Sequence, residues 1–227
     1  MQASELVGSV GGRYSAELGI DLAGGESGEV YKWFLAALLF GARISEAIAA
    51  HAYREFERAQ LLTPEKILAA GWDRLVRVLD RGGYVRYDFK TATKLLDINR
   101  ALMQQYQGDL NRLHAACRGE AELERRLKAL GKGIGEVTVN IFLRELRGIW
   151  RLAAPLPSER AIRSARALRF VPRGLQDRMR ILDMLQARWR AERRKAKEFP
   201  EFEAALVRYG AVRRGKREQP RASRKQA

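Results

Sequence analysis

Leu127-Lys128-Ala129-Leu130-Gly131-Lys132-Gly133-Ile134-Gly135-Glu136-Val137-Thr138-Val139-Asn140-Ile141 reads as two helices joined by a tight corner. Leu123, Leu127 and Leu130 mark one face of a first helix that stops at Gly131. Gly133 and Gly135 permit a sharp reversal and the close approach of another backbone. A second helix opens at Glu136, with Ile134 and Ile141 spaced to pin the two together. A helix that starts directly after glycine carries unpaired N–H groups and the positive end of its dipole. Such a corner suits a phosphate. A plain helix–helix turn, with glycines for geometry alone, accounts for the same letters.

Helical signals continue in both directions. Residues 30–40 are apolar on all sides, as expected of a central buried helix. Residues 44–60 follow with charges on one face. Thr63 is placed to cap a helix with Pro64 in its first turn. That helix runs to Ala70, a further one spans 73–81, and Gly82-Gly83 ends it. Over 88–106 the apolar positions Phe89, Ala92, Leu96, Met103 and Tyr106 fit a helical stripe, with Asn99 as its one polar interruption. Helices are also expected over 109–116, 120–130, 136–146 and 158–168, and a last stretch runs from Gly174 to Phe199 after Pro172. Residues 1–28, with seven glycines, read as a loose lead. No alternating pattern is long enough for a strand and no fixed period recurs. The chain reads as all-α, with about ten helices.

The composition fits a folded globular chain: 46% hydrophobic and 31% charged over 227 residues. The longest apolar run, 33–42, is about half of what a bilayer requires, so no membrane span is expected. The first ten residues show no secretory pattern, so a cytoplasmic location is expected, nucleoid-associated if the cell is bacterial. The single cysteine, Cys117, leaves no internal disulfide and no four-cysteine cluster built by this chain alone. His51 and His114 stand far apart, which argues against a two-histidine metal site. The net charge is +16, and it is uneven: residues 156–227 hold 21 basic against 8 acidic residues. Such a field attracts polyanions. Residues 213–227, nearly free of apolar side chains, are expected to be disordered.

The stretch LKALGKGIGEVTVNIFL resembles the helix-hairpin-helix of the endonuclease III-like DNA glycosylases, the helix-hairpin-helix–Gly/Pro/Asp superfamily. Three further stretches resemble that family in its order: YKWFLAALLFGARI at 31–44, LDRGGYVRYDFKTATK at 79–94 and YQGDLNRL at 106–113. The resemblance implies a two-lobed helical fold that holds double-stranded DNA and flips a base into a pocket. It divides the chain into an N-terminal segment 1–29, a helical domain 30–145 containing the hairpin 123–143, and a basic part 146–212 that packs with the N-terminal segment. DNA contacts are implied for Lys132, Gly133, Ile134, Gly135 and Thr138; Arg43 is placed to meet DNA or to form a surface ion pair, and Lys90 and Lys94, one turn apart, face either DNA or solvent. Tyr84 and Tyr87 are placed either to line a base pocket by stacking or to pack against the following helix. No cofactor is implied beyond a monovalent cation at the hairpin, and the protein is expected to act as a monomer.

Departures from the family pattern bear on chemistry. Val137 stands where bifunctional members carry the lysine that forms a Schiff base, so a lyase step by that route is not expected. Ser158 matches the usual aspartate, and Glu159 beside it is the nearest candidate acid, although a solvated first-turn glutamate favoured by the helix dipole is the better account of it. Ala37 fills the place of a catalytic glutamate in adenine-removing members, and Ala42 that of a stack-probing glutamine. Glu136 opens the hairpin helix where a base is more usual. The expected activity is monofunctional N-glycosidic base excision. The alternatives are a non-catalytic DNA-binding module, or a glycosylase scaffold reused for base modification, such as transfer onto a modified thymine.

Overall fold

Helices follow one another with short connections throughout the computed structural model, which describes residues 1–218. They are α1 (Ala3–Val10), α2 (Tyr14–Glu17), α3 (Ser27–Phe40), α4 (Glu46–Arg58), α5 (Pro64–Arg81), α6 (Asp88–Tyr106), α7 (Leu110–Ala115), α8 (Glu120–Ala129), α9 (Glu136–Leu146), α10 (Glu159–Ala167), α11 (Arg178–Ala191) and α12 (Phe199–Glu218), with a 3-10 turn at Ala196–Glu198. Among the described residues there is no strand, only an isolated bridge between Arg147 and Trp150. The protein is therefore all-α. No helix among the described residues is long and apolar enough to cross a membrane. The chain divides into a central unit, Tyr14–Pro155, and a terminal unit made of Met1–Arg13 and the residues from Leu156 on.

In the central unit α3 is buried on all sides, as its continuous apolar sequence requires. Its Trp33 indole N–H donates to the Phe142 carbonyl at 3.0 Å, and Phe34 meets Phe142 edge-on at 5.1 Å between centroids. The hydroxyl of Tyr31 donates to Asn99 Oδ1 at 2.7 Å, while Asn99 Nδ2 donates to the Leu95 carbonyl at 2.7 Å. Asn99 is thus polar on a buried face because α3 presents it with a hydroxyl. The buried arc of α6 differs from the expected stripe. It runs through Thr91, Ala92, Leu95, Leu96, Ile98, Asn99 and Leu102, while Phe89 faces water. Neighbours on several sides, including α5, Tyr31 and the turn at Gly131, set that wider arc.

Thr63 caps α5 through the Lys66 N–H with Pro64 in the first turn, and Gly71, at φ +69°, breaks the helix into the two expected pieces. Residues 1–28 are not a loose lead. Glu145, fully buried on α9, accepts the N–H groups of Tyr14 and Ser15 at 2.9 Å each and so fixes α2.

In the terminal unit Ala3 and Leu6 of α1 are fully buried. Glu192 accepts the Ala3 and Ser4 N–H groups at 2.6 and 2.9 Å, Arg13 pairs with Glu201 at 2.9 Å, and Arg208 donates to the Gly12 carbonyl at 2.9 Å. These distant partners order the N-terminus, and none is visible in the local sequence. Phe199, Phe202 and Leu206 of α12 are buried, and Trp189 of α11 stacks on Phe202 at 5.8 Å. The single helix expected over 174–199 is instead α11, the 3-10 turn and the start of α12. Pro200 sits in the first turn of α12, where its missing N–H is no loss. Helix α12 continues to Glu218, so residues 213–218 extend it where disorder is expected, in line with the good helix propensity of arginine, lysine and glutamate. The remainder of that stretch, 219–227, lies outside the described residues.

Candidate nucleic-acid interface

The hairpin corner is formed as its glycines allow. Helix α8 buries Leu123 and Leu127, and Leu130 follows them inward. Gly131 lies against Ile98 of α6 so closely that a Cβ there would sit 2.6 Å from Ile98 Cγ1. Gly133 adopts φ +94°, a left-handed conformation that disfavours any side chain. Ile134 is buried and its N–H reaches the Gly131 carbonyl at 3.3 Å, which closes the turn. Gly135 is extended, exposed, and has open space where a Cβ would stand.

Helix α9 begins without a side-chain cap. Its first internal bond joins the Val139 N–H to the Gly135 carbonyl at 3.1 Å, so the amides of Glu136, Val137 and Thr138 belong to the first turn, which lacks intrahelical acceptors. That end carries the positive pole of the helix dipole. Lys94 of α6 lies along the corner. A Cβ on Gly133 would be 3.3 Å from Lys94 Cδ, 3.5 Å from Cε and 3.9 Å from Nζ. Burial pushes the Lys94 ammonium down to about 8, and burial is the only cause. Lys132 is exposed on the same turn. Exposed Glu136, 3.8 Å from Lys128, partly opposes an anion here.

Several residues expected at the interface are found elsewhere. Thr138 is only 2% exposed: it faces Gly41, where a Cβ would lie 2.1 Å from Thr138 Oγ1. It joins α9 to the end of α3 and does not present its hydroxyl to DNA. That same contact brings the turn bearing Ala42 and exposed Arg43 close to the start of α9. Tyr84 is 1% exposed, and its hydroxyl donates to the Leu39 carbonyl at 2.9 Å. Burial holds its phenol well above the ordinary range. It packs in the core and lines no base pocket. Tyr87 is half-buried at the N-cap of α6, with the Arg86 guanidinium 5.6 Å from its ring centre.

Lys90 is exposed on α6, and Val137 is 63% exposed beside the corner. Ala37 is buried. Ser158 caps α10 by accepting the Ala161 N–H at 3.3 Å, and Glu159 is an exposed first-turn acid of the same helix in the terminal unit. His114 stacks on Trp150 at 4.7 Å, and burial followed by the charge of Arg151 pushes its pKa down, as fits a structural ring. Among the described residues no group of three or more histidine, cysteine, aspartate or glutamate side chains is arranged to hold a metal.

The structure thus joins Lys94 to Gly133, and the Arg43 turn to α9, across separations that the local sequence does not show. The sequence reading missed the exposed ring pair of Trp72 and Phe89, because Phe89 on a helical stripe reads as core and Trp72 falls between two expected helices. No protein-family profile matches the chain, and no curated protein matches its sequence.

Proposed function

We propose that the protein binds duplex DNA through the Lys132–Gly135 corner and the uncapped first turn of α9, in the manner of the endonuclease III-like glycosylases that its hairpin resembles. The observation that carries this reading is the pairing of an exposed glycine corner with a lysine stem laid along it: Lys94 reaches Gly133, is desolvated, and has burial as the sole cause of its lowered pKa. A phosphate at the corner supplies the negative charge that Lys94 lacks and accepts the first-turn amides. Arg43 and Lys90 extend the positive surface. The chemistry proposed is hydrolysis of the N-glycosidic bond without a lyase step, because the alkyl side chain of Val137 supplies no amine. Glu159 is the proposed acid or base.

Binding is tested by fluorescence anisotropy with a labelled blunt duplex, over a salt series. Gly133→Asp and Gly135→Asp, each shown by circular dichroism to stay folded, are expected to weaken binding by about tenfold or more, and wild-type affinity is expected to fall steeply with salt. Unchanged affinity in both variants overturns the reading. Base release from a panel of damaged and modified duplexes, with Glu159→Gln as control, tests the chemistry.

A second reading, a DNA-binding module without catalysis, is favoured by the withdrawal of Tyr84 into the core, and fits the resemblance, which aligns Val137 and Ser158 with the family's reactive lysine and aspartate. It predicts salt-sensitive binding and no released base.

A further inference from the structure

Of the four tryptophans, Trp33, Trp150 and Trp189 are buried, while Trp72 is 39% exposed. It follows the Gly71 break in α5 and packs against Phe89 of α6, itself 58% exposed, with centroids 5.2 Å apart and rings tilted by 43°. The indole N–H donates to Thr93 Oγ1 at 3.1 Å, and the Thr93 hydroxyl donates to the Phe89 carbonyl at 3.0 Å. The indole is therefore anchored in place while both rings leave surface in water. Core packing does not require that exposure, and clustered aromatic surface in water marks a binding face.

The surroundings are cationic. With about 100° between successive residues of an α-helix, Phe89, Thr93, Lys90 and Lys94 succeed one another around about 140° of α6. Lys90 is exposed midway, and Lys94 at the far edge lies on Gly133. Asp97, within the same arc, pairs with Arg100 at 2.8 Å. An aromatic pair at one edge and a phosphate-binding corner at the other match the two parts of a nucleotide strand.

We infer that Trp72 and Phe89 form a stacking platform for an unpaired nucleobase, on a DNA strand whose phosphates lie along Lys90, Lys94 and the glycine corner. The inference rests on the proposed role of that corner and adds a single-strand subsite to it. A base fits because its π-face is sequence-independent and its backbone is anionic. A second copy of this chain, with the same +16 charge, is repelled from a cationic rim.

Trp72 is the exposed indole of the four, so the part of the emission change that is lost in Trp72→Ala reports occupancy. A short oligothymidylate is expected to quench it, and Phe89→Ala and Trp72→Ala are each expected to weaken oligothymidylate binding by roughly 5- to 100-fold, with blunt-duplex affinity unchanged. Equal oligothymidylate affinity in both variants overturns the platform, as does equal binding of an abasic sugar-phosphate strand or no binding of oligothymidylate by the wild type. Gly133→Asp separates the two ideas. If it leaves duplex binding intact while the Phe89 dependence persists, the corner reading fails and the platform stands. If it abolishes duplex binding while the ring variants change nothing, the reverse holds.

Discussion

Lys94 keeps its amine beside a glycine, and its ionisation shows the cost. Burial lowers its pKa from 10.5 to about 8 in the folded chain. Below about 8 the side chain is protonated folded or unfolded, and the native state carries the full desolvation cost. Between about 8 and 10.5 the unfolded chain binds the extra proton, so stability rises with pH across that window. Lys94→Met is expected to melt higher than the wild type near neutrality, by an amount that shrinks toward pH 10. Thermal unfolding of both proteins over a pH series checks this; a variant that melts lower at neutrality contradicts it. The same burial makes the amine sensitive to a bound anion, which offsets the desolvation of the charged form and raises its pKa back toward the ordinary value.

Among the elements, α3 and α6 are coupled by one buried polar pair. Asn99→Ala removes the acceptor of the Tyr31 hydroxyl and leaves that group unsatisfied in the core. The expected loss is about 1–3 kcal/mol from the orphaned hydroxyl alone. Tyr31→Phe in the same background should recover part of it, as chemical denaturation of the single and double variants will show; no recovery means that the hydroxyl is not the source. The boundaries of α9 and the Gly71 break were legible because glycine, proline and capping residues act locally. Burial of Tyr84 and Thr138 was not, because their partners, the Leu39 carbonyl and Gly41, are far off in sequence. Helix α12 was hidden for another reason. Phe199-Pro200 looks like a terminator, and it stands directly before the buried Phe202, Ala205 and Leu206.

At the scale of the whole molecule, Met1–Arg13 and the described residues from Leu156 on belong to one unit. Glu192 holds the start of α1. Burial disfavours its charge, but the N–H groups of Ser4 and Ala3, the Ser4 side chain and Arg188 outweigh this, and its carboxyl stays below the ordinary range. A carboxylate with a lowered folded pKa stabilises above the ordinary range and loses that contribution as pH falls through the folded value. Deleting residues 1–13 is expected to speed hydrogen exchange in α12 while leaving α3 protected, as mass spectrometry will show. Unaltered exchange in α12 rules out a supporting role for α1.

That clamp has a bearing on biosynthesis. Met1–Arg13 leaves the ribosome before α11, and the acceptor of its amides, Glu192, is the residue just beyond that helix. Chains generally fold as they emerge, from the N-terminal end. Here the opening helix must wait, its Leu6 without a shelter, while the whole intervening body is translated. Synthesis of Glu192 is therefore what permits the start of α1 to be held, and a chain stalled before it lacks the carboxylate that receives the Ala3 and Ser4 amides.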